Sequence, residues 1–234
     1  MKNTKHSKTD QVNRVFDDAF EKYDLMNDFM SLGVHRIWKN RLIDWMNPKT
    51  GDRLIDVASG TGDIAKMFLK RIQFEGEVTC VEPNKKMFNL GKKNLKNFKD
   101  TTWHCSAAEK LPFKNEMFDI YCVSFGIRNF SDVERSLCEA KRVLKKGGRI
   151  MCLEFSKVEN EVLNKFYKFY SKSIPHLGKY ITGKSEPYEY LIKSIEKFYN
   201  QNDLLELFKK SGFENVEYRN LSGGIVAIHS GWKV

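Results

Sequence analysis

A glycine-rich stretch, LIDVASGTGDIA from Leu54 to Ala65, has the residue types and spacing of a cofactor site. A strand pattern runs into a glycine turn that opens a helix, so backbone N–H groups and the positive helix end face the space above the strand. Gly60, Gly62 and Ala65 fit a dinucleotide fingerprint, and Glu82 follows 20 residues after Gly62, where an acid can hold a ribose. The pattern predicts a nucleotide-type cofactor and by itself fits both NAD and S-adenosylmethionine.

The acids around this turn favour S-adenosylmethionine over NAD. Asp56 lies inside the strand and Asp63 follows the second glycine. An acidic loop attracts a cationic sulfonium with a free amine and repels a pyrophosphate. Ala107 and Ala108, beside a Leu-Pro turn after the third predicted strand, are expected to line the adenine pocket.

A second candidate site follows the apolar run that ends VSFGIRNF, Val123 to Phe130. The chain turns at Gly126 and presents Arg128 and Asn129. A charge just past the carboxyl end of a central strand is often a neighbour of a ligand. The competing interpretation of Arg128 is a surface salt bridge.

Short apolar runs alternate with helical patterns through the middle of the chain, which predicts an α/β fold with a parallel sheet covered by helices. Val133 to Leu144 is one of these predicted helices. The predicted strands are Arg53–Ala58, Val78–Glu82, Thr101–Cys105, Ile120–Phe125, Ile150–Phe155, Phe213–Tyr218 and Gly224–His229. The last two are close enough for a hairpin, which predicts that they are antiparallel.

Two helical segments lie outside this alternation in what we expect to be a single domain, residues 1–234. Residues 1–50 are expected to form an N-terminal helical cap that includes an amphipathic helix over residues 12–30. Residues 156–200 are expected to form an aromatic-rich helical insertion on the substrate side. Its aromatic residues fit ordinary core packing and, equally, an apolar substrate channel.

The composition narrows the function classes. No apolar run approaches the 18 residues of a membrane span and no hydrophobic signal opens the chain, so we expect a cytoplasmic protein. The five cysteines contain no CxxC pair, which predicts free thiols and no metal site.

The net charge is +10, and Lys85 to Lys99 holds six lysines and no acid. This run fits a solvated helix face or attraction to an anionic surface; no nucleic-acid-binding motif accompanies it.

Several longer strings resemble one known family. KYDLMNDFMSLGVHRIWK, Lys22 to Lys39, and RVLKKGGRI, Arg142 to Ile150, are similar to the two signatures of the UbiE family of ubiquinone and menaquinone C-methyltransferases. SFGIRN, LEFSK and the terminal LSGGIVAIHSGWK extend the resemblance over nearly the whole chain. It implies a class I, Rossmann-like methyltransferase with a mostly parallel seven-stranded sheet, a C-terminal antiparallel strand, and extra helices at the N-terminus and before strand 6.

The resemblance also implies positions for the cofactor contacts. They fall on Thr61 in the glycine loop, on Glu82, on Ala107 and Ala108, and on Ser124 at the end of the fourth strand. The family often has Asp or Asn where this chain has Ala107. A side-chain hydrogen bond to the adenine amine is therefore absent here.

Carbon methylation of a hydroquinone suggests roles for the remaining residues. A ring carbon becomes nucleophilic when an adjacent hydroxyl loses or shares its proton, and a phenol of the tyrosine type titrates near pH 10. A fixed guanidinium stabilises the anion. Our hypothesis is that Arg128 holds the phenolate and Asn129 orients it, while Tyr23 and His35 close over the ring. Core packing for Tyr23 and a helix-start position for His35 are the alternatives.

The resemblance implies a polyprenyl quinol as the substrate, so the protein is expected to contact the inner face of the membrane peripherally and to work within a quinone-biosynthetic complex. Three other functions remain open. They are methylation of another small acceptor, an NAD-dependent oxidoreductase, and a non-catalytic cofactor-binding scaffold. A Tyr-x-x-x-Lys pair suited to hydride transfer exists at Tyr180 and Lys184, but it spans a glycine in a loop-like stretch and we interpret it as chance.

Overall fold

The computed structural model describes residues 28, 31, 33–158 and 185–234. Tyr23 and the pair Tyr180 and Lys184 lie outside these residues. So do most of the predicted N-terminal amphipathic helix and most of the aromatic-rich insertion.

The described residues form one seven-stranded sheet in the order β3-β2-β1-β4-β5-β7-β6. The strands are β1 Arg53–Val57, β2 Glu77–Val81, β3 Thr101–His104, β4 Phe118–Ser124, β5 Leu144–Phe155, β6 Glu214–Leu221 and β7 Val226–Trp232. β7 is antiparallel to both β5 and β6, and the pairs among β1 to β5 are parallel. The predicted α/β architecture with an antiparallel C-terminal strand is confirmed, as is the antiparallel pairing of the last two strands.

Helices pack against both faces of the sheet and bury an apolar cluster on each side. They are α1 His35–Met46, α2 Asp63–Arg71, α3 Lys85–Asn94, α4 Val133–Val143, α5 Glu186–Lys197 and α6 Gln201–Lys210. Side-chain caps begin three of them, because Asn84, Asp132 and Asn200 accept hydrogen bonds from backbone N–H groups of the first turn. All six lysines of the Lys85–Lys99 run are exposed around α3.

The central strands are continuous apolar runs because both of their faces are covered. β1 and β4 pair in register from Leu54 with Ile120 to Val57 with Val123. Each ends one residue before its predicted limit, since Ala58 and Phe125 adopt left-handed backbone conformations. These two turns lie at the carboxyl edge of the sheet, where open α/β sheets bind ligands.

β5 begins at Leu144, six residues before the predicted Ile150. The extra residues, LKKGGR, are too polar for an apolar run to include them. Backbone hydrogen bonds hold these residues in the strand instead: the Gly147 N–H donates to the Lys233 carbonyl, and the Lys233 N–H donates to the Gly148 carbonyl. The strand prediction failed here because pairing with a distant segment overrode local composition.

The described residues contain no helix that is long and apolar enough to span a membrane. Within the same ranges no group of three metal-ligating side chains comes together. All five cysteines are free, and three of them are buried.

Candidate cofactor and acceptor site

The glycine loop packs closely between β1, α2 and α3. Gly62 has a φ of 86°, and a Cβ there would lie 2.7 Å from the Leu95 side chain. A Cβ on Gly91 of α3 would lie 2.6 Å from the Gly60 carbonyl oxygen. Glycine at both positions therefore lets α3 press the loop against the end of β1 and keeps its backbone N–H groups accessible.

The turns after β1 and β4 meet at the same point. Ala58 and Phe125 have φ values of 57° and 56°, which cost energy for residues with a side chain. A Cβ on Gly126 would lie 2.5 Å from the Cβ of Ala58, so only glycine fits between the turns. Such strain is retained where the surrounding structure fixes the backbone, as it does at many ligand sites.

Two buried side-chain oxygens at this edge have no partner among the described residues: Asp56 Oδ2 and Ser124 Oγ. Asp56 accepts a hydrogen bond from the backbone N–H of Ala65, and burial raises its pKa to about 8, partly offset by the positive charge of Lys39. Buried polar atoms normally have partners. An acid and a hydroxyl left open beside a glycine loop fit a bound ligand that carries a cation and hydrogen-bonding groups.

Glu82 lies directly after β2 and is buried, with 7% of its surface exposed. Its Oε2 accepts from the Gly60 N–H at 3.0 Å, and its Oε1 accepts from the Asn84 N–H at 2.9 Å. Burial raises the pKa of Glu82 to about 7, against the lowering effect of these two N–H groups. Each carboxylate oxygen keeps one lone pair for a further donor such as a ribose hydroxyl.

The remaining predicted cofactor residues lie nearby in the loops. Thr61 is buried, and its carbonyl accepts a hydrogen bond from the Asn94 side chain at 3.2 Å. Ala107 is exposed and Ala108 is buried in the turn after β3. An apolar wall at Ala108 suits one face of an adenine ring.

Asp63 has a partner that the sequence did not indicate. Lys39 of α1 donates to Asp63 Oδ2 at 2.7 Å. The lysine side chain is 9% exposed and the aspartate side chain is 43% exposed. α1 therefore holds the Lys39 ammonium against the first turn of α2, the same turn whose Ala65 N–H donates to Asp56.

The structure places Arg128 in a buried ion pair. It lies in a 3-10 turn, Ile127–Asn129, where its Nη1 donates to Glu154 Oε1 at 2.7 Å and to the Phe125 carbonyl at 2.6 Å. The guanidinium lies over the Phe155 ring, and its buried Nε has no partner among the described residues. Because both side chains are buried, the pair is not the surface salt bridge that the sequence offered as the alternative. Glu154 went unnoticed, although a carboxylate inside the apolar run Ile150–Phe155 was its signal.

Asn129 is joined to α5 by Tyr190, whose hydroxyl donates to Asn129 Oδ1 at 3.0 Å. Burial raises the pKa of Tyr190, and the nearby charge of Arg128 acts in the opposite direction. The Tyr190 hydroxyl therefore binds the same 3-10 turn that carries Arg128. The sequence places Tyr190 in the aromatic-rich segment and in the family-like string YEYL, Tyr188 to Leu191, but predicts no role for it in the site.

His35 begins α1 and is 5% exposed. Its Nε2 lies 2.8 Å from Asp28 Oδ1, and its backbone N–H donates to Ser31. Burial lowers the pKa of His35, which Asp28 partly offsets and the charge of Lys39 reinforces. His35 and Lys39 thus share the buried face of α1. The contacts of His35 are those expected of a residue at the start of a helix.

A model of the ubiE/COQ5 methyltransferase family matches residues 2–233 of the chain. A Ruegeria sp. (strain TM1040) protein, "Ubiquinone/menaquinone biosynthesis C-methyltransferase UbiE", is 46% identical over 233 residues, covering 98% of this chain and 93% of its own. The protein of the same name from Rickettsia akari is 47% identical, covering 95% of this chain and 92% of its own.

Solved structures share the fold at low sequence identity. A SAM-dependent methyltransferase from Thermotoga maritima superimposes with a TM-score of 0.69 at 21% identity, covering 94% of this chain and 99% of its own. "Phospholethanolamine N-methyltransferase 2" of Haemonchus contortus, solved with phosphomonomethylethanolamine and S-adenosylhomocysteine, gives a TM-score of 0.70 at 14% identity, covering 97% of this chain and 60% of its own. These likenesses establish the class I methyltransferase fold.

Proposed function

Since the chain belongs to the ubiE/COQ5 methyltransferase family and is an S-adenosylmethionine-dependent C-methyltransferase, we propose that it methylates a ring carbon of a polyprenylated quinol in ubiquinone or menaquinone biosynthesis. The acceptors would be 2-methoxy-6-polyprenyl-1,4-benzoquinol, demethylmenaquinol or both. The observation that carries the proposal is the family match along residues 2–233.

The cofactor would bind at the carboxyl edge of the sheet. Bound S-adenosylmethionine supplies an electrophilic methyl group on a sulfonium. Asp56 and Ser124, with their unpartnered oxygens, would receive its polar groups, and Glu82 would hold the ribose hydroxyls. Gly60, Thr61 and Gly62 would line the backbone side, while Ala107 and Ala108 would flank the adenine ring.

The acceptor would lie beyond β4, against Arg128, Asn129 and Tyr190. Arg128 is fixed by Glu154, and the free Nε–H provides a charge-assisted donor for the ring oxygen. A guanidinium stays protonated, so it stabilises the developing phenolate at any physiological pH. The acceptor carbon takes the methyl group and then gives up its hydrogen as a proton. We expect Tyr23 and His35 to border this space from the N-terminal segment.

The substrate's polyprenyl tail implies contact with a membrane surface. The exposed lysines of the Lys85–Lys99 run supply the positive charge for an anionic inner leaflet, and the residue 156–200 insertion supplies apolar side chains. Co-sedimentation with anionic vesicles at low salt, compared with neutral vesicles, tests this contact. Equal recovery with both vesicle types would argue against it.

The test of the proposed function is turnover by the purified protein. We expect S-adenosylhomocysteine to form only when a reduced, demethylated quinol is supplied. The oxidised quinone serves as the control, since it has no phenol to ionise. Turnover on neither benzoquinol nor naphthoquinol acceptors would refute the proposal, and calorimetric binding of NAD in place of S-adenosylmethionine would favour an oxidoreductase.

A further inference from the structure

Lys39 is a buried cation whose position has no explanation in the acceptor chemistry. Its residue surface is 7% exposed, and its ammonium lies 2.7 Å from Asp63 Oδ2 at the start of α2. A buried ammonium has three N–H donors, and this ion pair uses one of them. The partner Asp63 is the more exposed of the two, so the carboxylate keeps much of its hydration while the lysine loses most of its own.

A buried carboxylate, that of Asp56, belongs to the same region as the Lys39 ammonium. Asp56 is 1% exposed, and its Oδ2 has no partner among the described residues. Lys39 donates to Asp63, and Asp56 accepts from the backbone N–H of Ala65, so both side chains meet the first turn of α2. The positive charge of Lys39 also has the largest charge effect on the pKa of Asp56. A buried cation with spare donors and a buried acid with a spare acceptor therefore lie together at the glycine loop.

We propose that Lys39 and Asp56 form a clamp for the amino-acid end of S-adenosylmethionine, in which Lys39 binds its carboxylate and Asp56 its ammonium. An α-amino acid end presents one anionic and one cationic group a few bonds apart, which is the arrangement that the clamp complements. Asp63 acts as a positioning residue that holds the Lys39 ammonium over the loop. The inference rests on the S-adenosylmethionine-dependent function proposed above and adds a specific ligand contact to the N-terminal segment.

The test compares ligands that differ only at the amino-acid end. Calorimetry would measure the affinity of the full chain for S-adenosylmethionine, decarboxylated S-adenosylmethionine and 5′-methylthioadenosine, which lacks the whole amino-acid end. The proteins would be the parent, Lys39→Met and Lys70→Met. Lys70 is an exposed lysine in the last turn of α2, so its replacement removes one positive charge and leaves the first turn of the helix unchanged.

A charge-assisted hydrogen bond to a carboxylate corresponds to a factor of about ten to a hundred in affinity. We expect the parent and Lys70→Met to prefer S-adenosylmethionine over its decarboxylated analogue by about that factor. Lys39→Met should lose this preference and bind 5′-methylthioadenosine as the parent does. Parent-like preference in Lys39→Met, or equal weakening of both sulfonium ligands, would overturn the proposal.

A second variant separates binding from a purely structural ion pair. Asp63→Asn removes the partner of Lys39 and leaves the ammonium in place. The clamp predicts that Asp63→Asn keeps at least part of the carboxylate preference, whereas a structural tie predicts that it behaves like Lys39→Met. A complete loss of the preference in Asp63→Asn would therefore count against the clamp, including when Lys39→Met folds poorly.

All of these measurements omit the quinol. If the clamp pattern holds but no quinol is methylated, the substrate proposal alone fails. If quinols are methylated but Lys39→Met keeps the carboxylate preference, the clamp alone fails.

Discussion

Replacing Arg128 with Met should strongly destabilise the protein, because it leaves Glu154 as an unpaired buried acid. The Glu154 side chain is 1% exposed. Without the guanidinium, the partners of its carboxylate among the described residues are the Phe155 N–H at 2.9 Å and, in a longer bond of 3.4 Å, the backbone N–H of residue 128. Removing one partner of a buried ion pair costs about 3–5 kcal/mol in the free energy of unfolding. For a domain of this size that corresponds to a fall of roughly 6–20 °C in Tm.

The loss should also depend on pH in a defined direction. Burial already raises the pKa of Glu154, and Arg128 opposes that rise. In the variant the folded-state pKa moves further above the unfolded value, so between these two values the folded state binds more protons than the unfolded state. Stability then falls as pH rises through this window, and the deficit of Arg128→Met relative to the parent should be larger at pH 8 than at pH 5.

Urea unfolding followed by tryptophan fluorescence measures both effects. The Arg128→Met and Glu154→Gln double variant is the control, because it removes the charge that the single variant leaves buried. We expect the double variant to be more stable than Arg128→Met at pH 8. A cost below about 1 kcal/mol for Arg128→Met, or a deficit that is the same at pH 5 and pH 8, would refute this account of the pair.

Three further predictions follow from the site. The folded-state pKa of Asp56 is about 8, so the stability that this group contributes falls as pH rises from about 4 to about 8. In urea unfolding, Asp56→Asn should therefore lose less stability than the parent between pH 5 and pH 8. Equal losses in the two proteins would contradict this. Tyr190→Phe removes the 3.0 Å hydrogen bond to Asn129. It should lower kcat by up to about tenfold and leave the affinity for S-adenosylmethionine nearly unchanged. An unchanged kcat would count against a role for Tyr190 on the acceptor side. Ala107→Asn should add a hydrogen-bond partner for the adenine amine and so tighten S-adenosylmethionine binding by up to about tenfold, as measured by calorimetry. Weaker binding would mean that the turn after β3 does not lie beside the adenine amine.

The sheet could be predicted from the sequence because the signals for each strand lie within a few consecutive residues. Strands such as Arg53–Val57 and Phe118–Ser124 are continuous apolar runs bounded by turn residues, and the glycine loop has a fixed spacing. The polar start of β5 could not be predicted because its backbone partner, Lys233, is distant in the sequence.

The partners of the site residues were not predictable in the same way. Lys39 and Asp63 are 24 residues apart, Arg128 and Glu154 are 26 apart, and Tyr190 is 61 residues from Asn129. A single sequence indicates that such residues are charged or aromatic, but only the fold determines which of them meet. The sequence allows a phenolate partner or a surface salt bridge for Arg128, whereas the fold gives it a buried counter-ion.

The most direct test of the central claim follows the methyl group itself. The purified protein would be incubated with S-adenosylmethionine carrying a 13C-labelled methyl group and with short-chain demethylated quinols under reducing conditions, and the product would be analysed by mass spectrometry and carbon NMR. The account predicts that the label appears as a methyl group on a ring carbon of the quinol, with one S-adenosylhomocysteine formed for each methyl transferred. A label on oxygen, or S-adenosylmethionine consumption without a methylated ring, would contradict it.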